Sequence, residues 1–335
     1  MDNGKVIVTG GAGFIGSHVA EDLLKLGYHV VVLDDLSGGF EDNVPRGAKF
    51  IKGSILDVDL IKALFEKHNF DYVFHLAAYA AEGLSHFIKR FNYNNNVIGS
   101  INLINESVKH DVKCFIFTSS IAVYGTNQLP MCEDLTPDPE DPYGIAKLAV
   151  EKDLAATKRM FGLDYVIFRP HNVFGEKQNI GDKYRNVIGI FMNQIIHNHP
   201  LPIFGDGNQT RAFSYIGEVS PIIARSIENK ECYNQIFNIG ADHPYSINEL
   251  VDIVGNAMGQ KPATIHLPPR NEVVHAYADH SKIKQAFNTP ESIPIELGIK
   301  KMAQWAKQTG IRTSKEFDHI ELTKNLPPSW AQANG

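Results

Sequence analysis

The chain has 335 residues, a net charge of −6 and 21% charged residues, ordinary for a globular protein long enough for one large or two smaller cores. Mild acidity without a basic run gives no surface for nucleic acid, and no stretch reaches the roughly 18 apolar residues that span a bilayer. Cys114, Cys132 and Cys232 are too few and too far apart for a disulfide framework or a metal cluster, and the opening MDNGKVIVTG has too short an apolar run for a signal peptide. A cytoplasmic protein without a metal is expected.

Short β-branched and aromatic runs alternate with helical patterns from the start. KVIVTG is a strand and FIGSHVAEDLLKLG a helix closed by Gly27. YHVVVLDD and AKFIKGSI are strands, DVDLIKALFEKH a helix, FDYVFHLAA a strand, VIGSINLINESVKH a helix and CFIFTSS a strand. Continuous apolar strands separated by helices predict an α/β fold: a doubly wound, Rossmann-type parallel sheet covered on both faces. After about residue 172 the rhythm breaks into segments rich in Gly, Pro, Asn and charge, and QIFNIG (235–240) reads as one more strand. The expected division is residues 1–172 plus 216–241 for the sheet domain, and 173–215 plus 242–335 for a smaller α/β substrate-binding domain.

TGGAGFIG sets Gly10, Gly13 and Gly16 between the first strand and the first helix. Glycines there permit a tight turn and close backbone approach to a pyrophosphate, which then sits on the helix N-terminus. Asp34 ends the second strand, where a carboxylate accepts the adenosine ribose hydroxyls and repels a 2′-phosphate. The cofactor is therefore expected to be NAD, and the candidate contacts in this part of the chain are Gly10, Gly13, Phe14, Ile15, Gly16, Asp34 and Asp35.

DPYGIAK (141–147) starts a helix with Asp141 as N-cap and Pro142 at its first position. Tyr143 and Lys147 are four apart and share one helical face. A lysine ammonium beside a phenol favours the phenolate, a general base for an alcohol that loses hydride. Ser120, at the end of CFIFTSS, could hydrogen-bond the same oxygen.

TGGAGFIG, HLAA (75–78), NNNVIG (94–99), TSSIAVYG (118–125), YGIAK (143–147) and RPHNVFG (169–175) together resemble the extended short-chain dehydrogenase/reductases that act on nucleotide sugars, and most resemble the UDP-glucose and UDP-GlcNAc 4-epimerases. The resemblance runs through nearly the whole chain. It implies that Ser120, Tyr143 and Lys147 are catalytic. It also implies that Ser54 and Ile55 hold the adenine, that Leu76, Ala77, Ala78, Asn96 and Ser119 line the cofactor, and that Pro170 lies near the nicotinamide. FGDGNQTRAFSYIGEV (204–219) and PPRNEVVHAYAD (268–279) match the family's nucleotide clamps. Arg211 and Arg270 would then pair with the diphosphate, Ile203 and Phe204 would lie against uracil, and Asn172 would touch the sugar or its diphosphate. Ala276 aligns with a gatekeeper whose small size admits N-acetyl groups. Glu82 would touch sugar hydroxyls in one reading and lie on the surface in the other. Helices 94–110 and 142–160 would pair two subunits into a homodimer.

Family dehydratases carry Asp-Glu just after the strand-end hydroxyls, and the decarboxylases keep the Glu; this chain has Ile121-Ala122. Apolar side chains cannot move the protons that loss of water requires, whereas removal and return of hydride at one carbon needs only the tyrosine. The expected reaction is 4-epimerisation of a UDP-sugar, UDP-glucose/UDP-galactose with room for the N-acetyl pair. Asn172, and Asn179 where a glucuronate enzyme carries arginine nearby, speak against a uronate. The open alternatives are a dehydratase, a decarboxylase or an epimerase at another carbon, and a non-catalytic NAD-binding protein.

Overall fold

The computed structural model describes residues 3–182, 184, 186–269, 273–289, 292–310, 320–327 and 330. In chain order, β1 (Lys5–Thr9), α1 (Phe14–Lys25), β2 (His29–Asp34), β3 (Lys49–Lys52), α2 (Val58–His68) and β4 (Tyr72–His75) build the first half. The short helices α3 (Glu82–Ser85) and α4 (Lys89–Tyr93) lead through one π-turn at Asn94–Ile98 into α5 (Gly99–Lys109). Then follow β5 (Cys114–Thr118), α6 (Pro142–Phe161), β6 (Tyr165–Pro170), β7 (Val173–Phe174), α7 (Val187–Ile196), β8 (Leu201–Phe204), β9 (Thr210–Ala212), β10 (Ser214–Tyr215) and α8 (Ile216–Arg225). β11 (Gln235–Ile239), β12 (Pro244–Ser246), α9 (Ile247–Met258), β13 (Thr264–Leu267), β14 (His275–Ala276), α10 (Ser281–Phe287) and α11 (Ile295–Thr309) complete the order.

Seven strands form one parallel sheet in the order β11-β6-β5-β4-β1-β2-β3, the doubly wound arrangement that the alternating pattern predicts. The period of two in each strand divides its side chains between two cores. Val6, Val8, Val30 and Val32 pack with Val19 and Leu23 of α1 and Val219 and Ile223 of α8. Ile7, Val31, Leu33, Phe115 and Phe117 pack on the other face with Phe65 of α2, Leu103 of α5 and Val150 and Leu154 of α6. Each such fully buried side chain contributes roughly 1.5–3 kcal/mol, so a polar strand residue within either face would be costly. QIFNIG does return to this sheet, as β11 beside β6.

A third core joins α7, α9 and α11 through Ile188, Phe191, Leu250, Val254, Ile299 and Met302. It supports the short pairs β8–β13 and β12–β9–β14, and residues of both bodies line one cleft. Its signal in the sequence is weak because its strands are two to four residues long, shorter than a periodicity needs to declare itself. No helix among the described residues is long and apolar enough to cross a membrane.

Candidate active site

One large cleft, about 1860 Å³, runs along the C-terminal ends of the strands, where ligands of open α/β sheets bind. Its first wall is the turn between β1 and α1. Gly10 has φ +71°, and a Cβ on it would lie 2.7 Å from the Ala77 nitrogen; a Cβ on Gly16 would lie 2.1 Å from the Gly10 carbonyl oxygen. Glycine is therefore required at both positions. Gly13, extended and without a side-chain cap, opens α1 towards the cleft together with Phe14 and Ile15. Asp34 accepts from the amides of Ala12 (3.0 Å) and Leu36 (2.8 Å). Burial raises its pKa against those two bonds. Asp35, Ile55, Leu76, Ala77, Ala78 and Pro170 also line the cleft. A cradle that a single methyl would fill, an open helix N-terminus and an acid at the end of β2 fit a dinucleotide.

The middle of the cleft holds Ser120, Tyr143 and Lys147. Asp141 caps α6 by accepting from Tyr143 N (2.9 Å) and Gly144 N (3.0 Å), with Pro142 at the first position, which fixes where Tyr143 enters. Lys147 is 2% exposed. Its Nζ donates to the Thr118 carbonyl at 2.8 Å and lies 4.7 Å from the Phe117 ring centre and 5.8 Å from that of Tyr143. Burial lowers its pKa to about 7, against the pull of Glu151 one turn on. The Ser120 hydroxyl accepts from Ala122 N at 3.1 Å and caps the turn Ile121–Tyr124.

Behind this group lies an ion pair that no spacing in the sequence announces. Glu151 accepts from Arg169 Nε (2.9 Å) and Nη2 (2.6 Å), and from the Ser119 hydroxyl (2.5 Å). Both charged side chains are 2% exposed. Burial disfavours the charge on Arg169, but the two bonds to Glu151 outweigh it and raise its pKa. The guanidinium also lies 4.7 Å from the centre of the Tyr124 ring, whose hydroxyl donates to Asn238. Ser119 thus borders the cleft while its hydroxyl donates into this network.

Asn172, Pro202, Phe204, Arg211, Leu267 and Pro268 line the cleft beside the second body. Asn172 adopts φ +38° and donates its amide to the Ala212 carbonyl at 3.0 Å. Arg211 Nη1 donates to the carbonyls of Thr210 (2.9 Å) and Val274 (2.8 Å), and its Nη2 to that of Val273. Arg270 lies outside the described residues.

Four of the expected residues take the following places. Ile203 is 2% exposed and joins the third core, because alternation along β8 turns Pro202 and Phe204 to the cleft instead. Ala276 packs beside Ile121, Tyr124 and Met131 in an apolar cluster, whereas its strand neighbour Arg211 lines the cleft. Asn96 is 1% exposed; its amide accepts from Tyr79 N and donates to the Tyr79 carbonyl and Asn92, so it shapes the loop after β4 from behind. Ser54 accepts from Leu56 N and turns the chain, leaving Gly53 and Ile55 on the wall. Glu82 faces the cleft, as does its neighbour Ala80.

Residues 6–240 match the NAD dependent epimerase/dehydratase family. Among solved structures, the UDP-glucose 4-epimerase of Thermotoga maritima, with UDP-glucose, is 35% identical, with 91% of this chain and 99% of that chain covered at a TM-score of 0.87. The UDP-N-acetylglucosamine 4-epimerase of Methanobrevibacter ruminantium, in complex with UDP-N-acetylmuramic acid, is 32% identical over 92% of this chain and 100% of that one, at a TM-score of 0.86. The UDP-glucuronate 4-epimerase of Thermodesulfobacterium geofontis is 30% identical, with 96% of this chain and 99% of the relative covered. These three relatives are named for three different sugars and for one carbon.

Proposed function

Because the chain belongs to the NAD-dependent epimerase/dehydratase family and is an NAD-dependent nucleotide-sugar epimerase, we propose that it inverts C4 of UDP-glucose and of UDP-N-acetylglucosamine. The observation that carries the reading is the end of β5. Ser120, Tyr143 and Lys147 meet one cleft there, and two apolar residues, Ile121 and Ala122, follow Ser120 where a dehydratase needs acids. Asp141, which caps α6, and Glu140, which accepts from Thr126 N, are engaged with backbone amides, and Glu82 lines the same cleft.

Tyr143 removes the proton of the C4 hydroxyl while Ser120 hydrogen-bonds the same oxygen. Bound NAD supplies the acceptor for the hydride that leaves C4 and the donor that returns it. Loss of that hydride and proton leaves a 4-keto sugar. The keto sugar would turn about its diphosphate tether to present its other face, and Tyr143 would hand the proton back to the C4 oxygen. Lys147, fixed by Thr118, keeps a titratable charge beside the phenol throughout. Gly10, Gly13, Gly16 and Asp34 hold the dinucleotide; Phe204 faces the uracil; Arg211 and Asn172 face the diphosphate and sugar. Asn172 and Asn179 on the wall support a neutral hexose over a uronate.

The test is turnover of UDP-glucose, UDP-N-acetylglucosamine and UDP-glucuronate by the NAD-saturated protein and by Tyr143→Phe. Loss of the general base lowers kcat by roughly 10²–10⁴, with UDP affinity kept; an unchanged kcat would remove Tyr143 from the chemistry. Ile98 and Ile145, 50% and 42% exposed at the start of α5 and on α6, support a homodimer through these helices. Sedimentation of the parent as a dimer and of Ile145→Glu as a monomer would bear this out, and a monomeric parent would refute it.

A further inference from the structure

Residues 320–327 and Trp330 return from beyond α11 to the far end of the cleft, where Leu322, Lys324, Asn325, Pro327 and Trp330 join its wall. They are fastened to the α3–α4 segment. The amides of Glu321 and Leu322 donate to the Phe87 carbonyl at 2.8 and 3.1 Å. The Glu321 carboxylate in turn accepts from the amides of Arg90 (2.9 Å) and Phe91 (2.8 Å). Trp330 is 6% exposed; its ring stands edge-on to Phe87 at 6.1 Å and to Tyr184 at 5.6 Å, and a Cβ on Gly83 would lie 3.0 Å from it. Phe87 belongs to the segment after β4, and Tyr184 to the segment before α7. One indole therefore bridges the two sides of the cleft.

The other side of the α3–α4 segment touches the catalytic helix. Ser85 Oγ accepts from Tyr143 N at 3.3 Å, and the Asn92 amide donates to the Pro142 carbonyl at 2.8 Å. Tyr79, Glu82, Gly83 and Phe87, which face the cleft beside Tyr143, are thus held between the start of α6 and the C-terminal segment. The nucleotide end, at Pro202, Phe204 and Arg211, belongs to other elements.

We infer that Trp330, anchored through Glu321, is a specificity-determining residue that sets the wall of the sugar subsite, acting on the hexose of a UDP-hexose and leaving the UDP moiety untouched. This rests on the UDP-sugar reading above. Removing the indole frees Gly83 and Phe87 to move, which loosens the hexose without altering what holds the nucleotide.

The test is calorimetric titration of NAD-saturated Tyr143→Phe protein, and of the same protein carrying Trp330→Ala, Trp330→Phe or Glu321→Ala, with UDP, UDP-glucose and UDP-N-acetylglucosamine. Trp330→Ala and Glu321→Ala should weaken UDP-hexose binding about tenfold, in the range of a single wall side chain, with UDP affinity within error. Trp330→Phe should recover most of the loss. On the Tyr143 background, the ratio of kcat/KM for the two hexoses should shift with Trp330→Ala. UDP-hexose affinity unchanged in both alanine variants would overturn the inference. So would UDP and UDP-hexose weakened by one common factor, which would mean general structural damage. A parent protein that binds UDP but none of the hexose derivatives would overturn the UDP-sugar reading itself, and this wall with it.

Discussion

Replacing Glu151 by glutamine removes one negative charge from a place that also holds Arg169 and, one turn earlier on α6, Lys147. In the parent protein Glu151 takes two bonds from the guanidinium, and both side chains are 2% exposed. Glutamine keeps the shape but sets an amide N–H₂ against a guanidinium N–H at one of these contacts, leaving a buried cation uncompensated. Breaking a buried pair from one side costs about 3–5 kcal/mol. The double variant Glu151→Leu/Arg169→Met removes both charges and should fall within about 1–2 kcal/mol of the parent, because the large term is the orphaned charge. Urea unfolding of the NAD-saturated protein at pH 7.5 measures both. The single variant costing less than 1 kcal/mol, or the double costing as much as the single, would refute the account of this pair. The kinetics carry a second signature. Glu151 supports the charge of Lys147, so its loss lowers the lysine pKa below about 7 and moves the corresponding limb of the kcat profile to lower pH.

Lys147 gives the opposite relation between stability and activity. Its folded-state pKa, about 7, lies below the ordinary 10.5, so the cost of burying its charge is fully present below pH 7 and fades as pH rises towards 10.5. Lys147→Met should therefore stabilise the cofactor-free protein by about 1–4 kcal/mol at pH 6.5, with a smaller gain at pH 9.5, while abolishing turnover; a destabilised variant at pH 6.5 would contradict this. Gly16→Ala places a methyl on the Gly10 carbonyl, so retention of NAD through gel filtration should be lost, and a variant that keeps NAD would show that the turn can yield.

The glycine turn, the acid after β2 and the helical pair Tyr143 and Lys147 were legible because each depends on spacing within one or two adjacent elements. The seven parallel strands were legible for the same reason, since buried strands write continuous apolar runs. What the sequence left hidden depends on distant partners. Glu151 and Arg169 sit on α6 and β6, and only the packing of that helix on the sheet joins them. In β8, alternation was the available signal for Pro202 over Ile203, and a four-residue strand gives too few turns of the pattern to fix its face. Ala276 lies in β14, whose two residues are too short for a periodicity, and only its pairing with Arg211 and its packing with Tyr124 fix its surroundings. Trp330 and Glu321 carry no motif; their place at the cleft follows from bonds and ring contacts with the α3–α4 segment, far away in sequence.

The central claim is that hydride leaves and returns at C4 with no acid–base chemistry elsewhere on the ring. Incubation with UDP-glucose and UDP-N-acetylglucosamine in heavy water, followed by proton NMR, tests it most directly. The account predicts UDP-galactose and UDP-N-acetylgalactosamine free of deuterium at every ring carbon. A 4-keto-6-deoxy product with deuterium at C5 would contradict it, and would mean that a carboxylate such as Glu82 completes a dehydratase site.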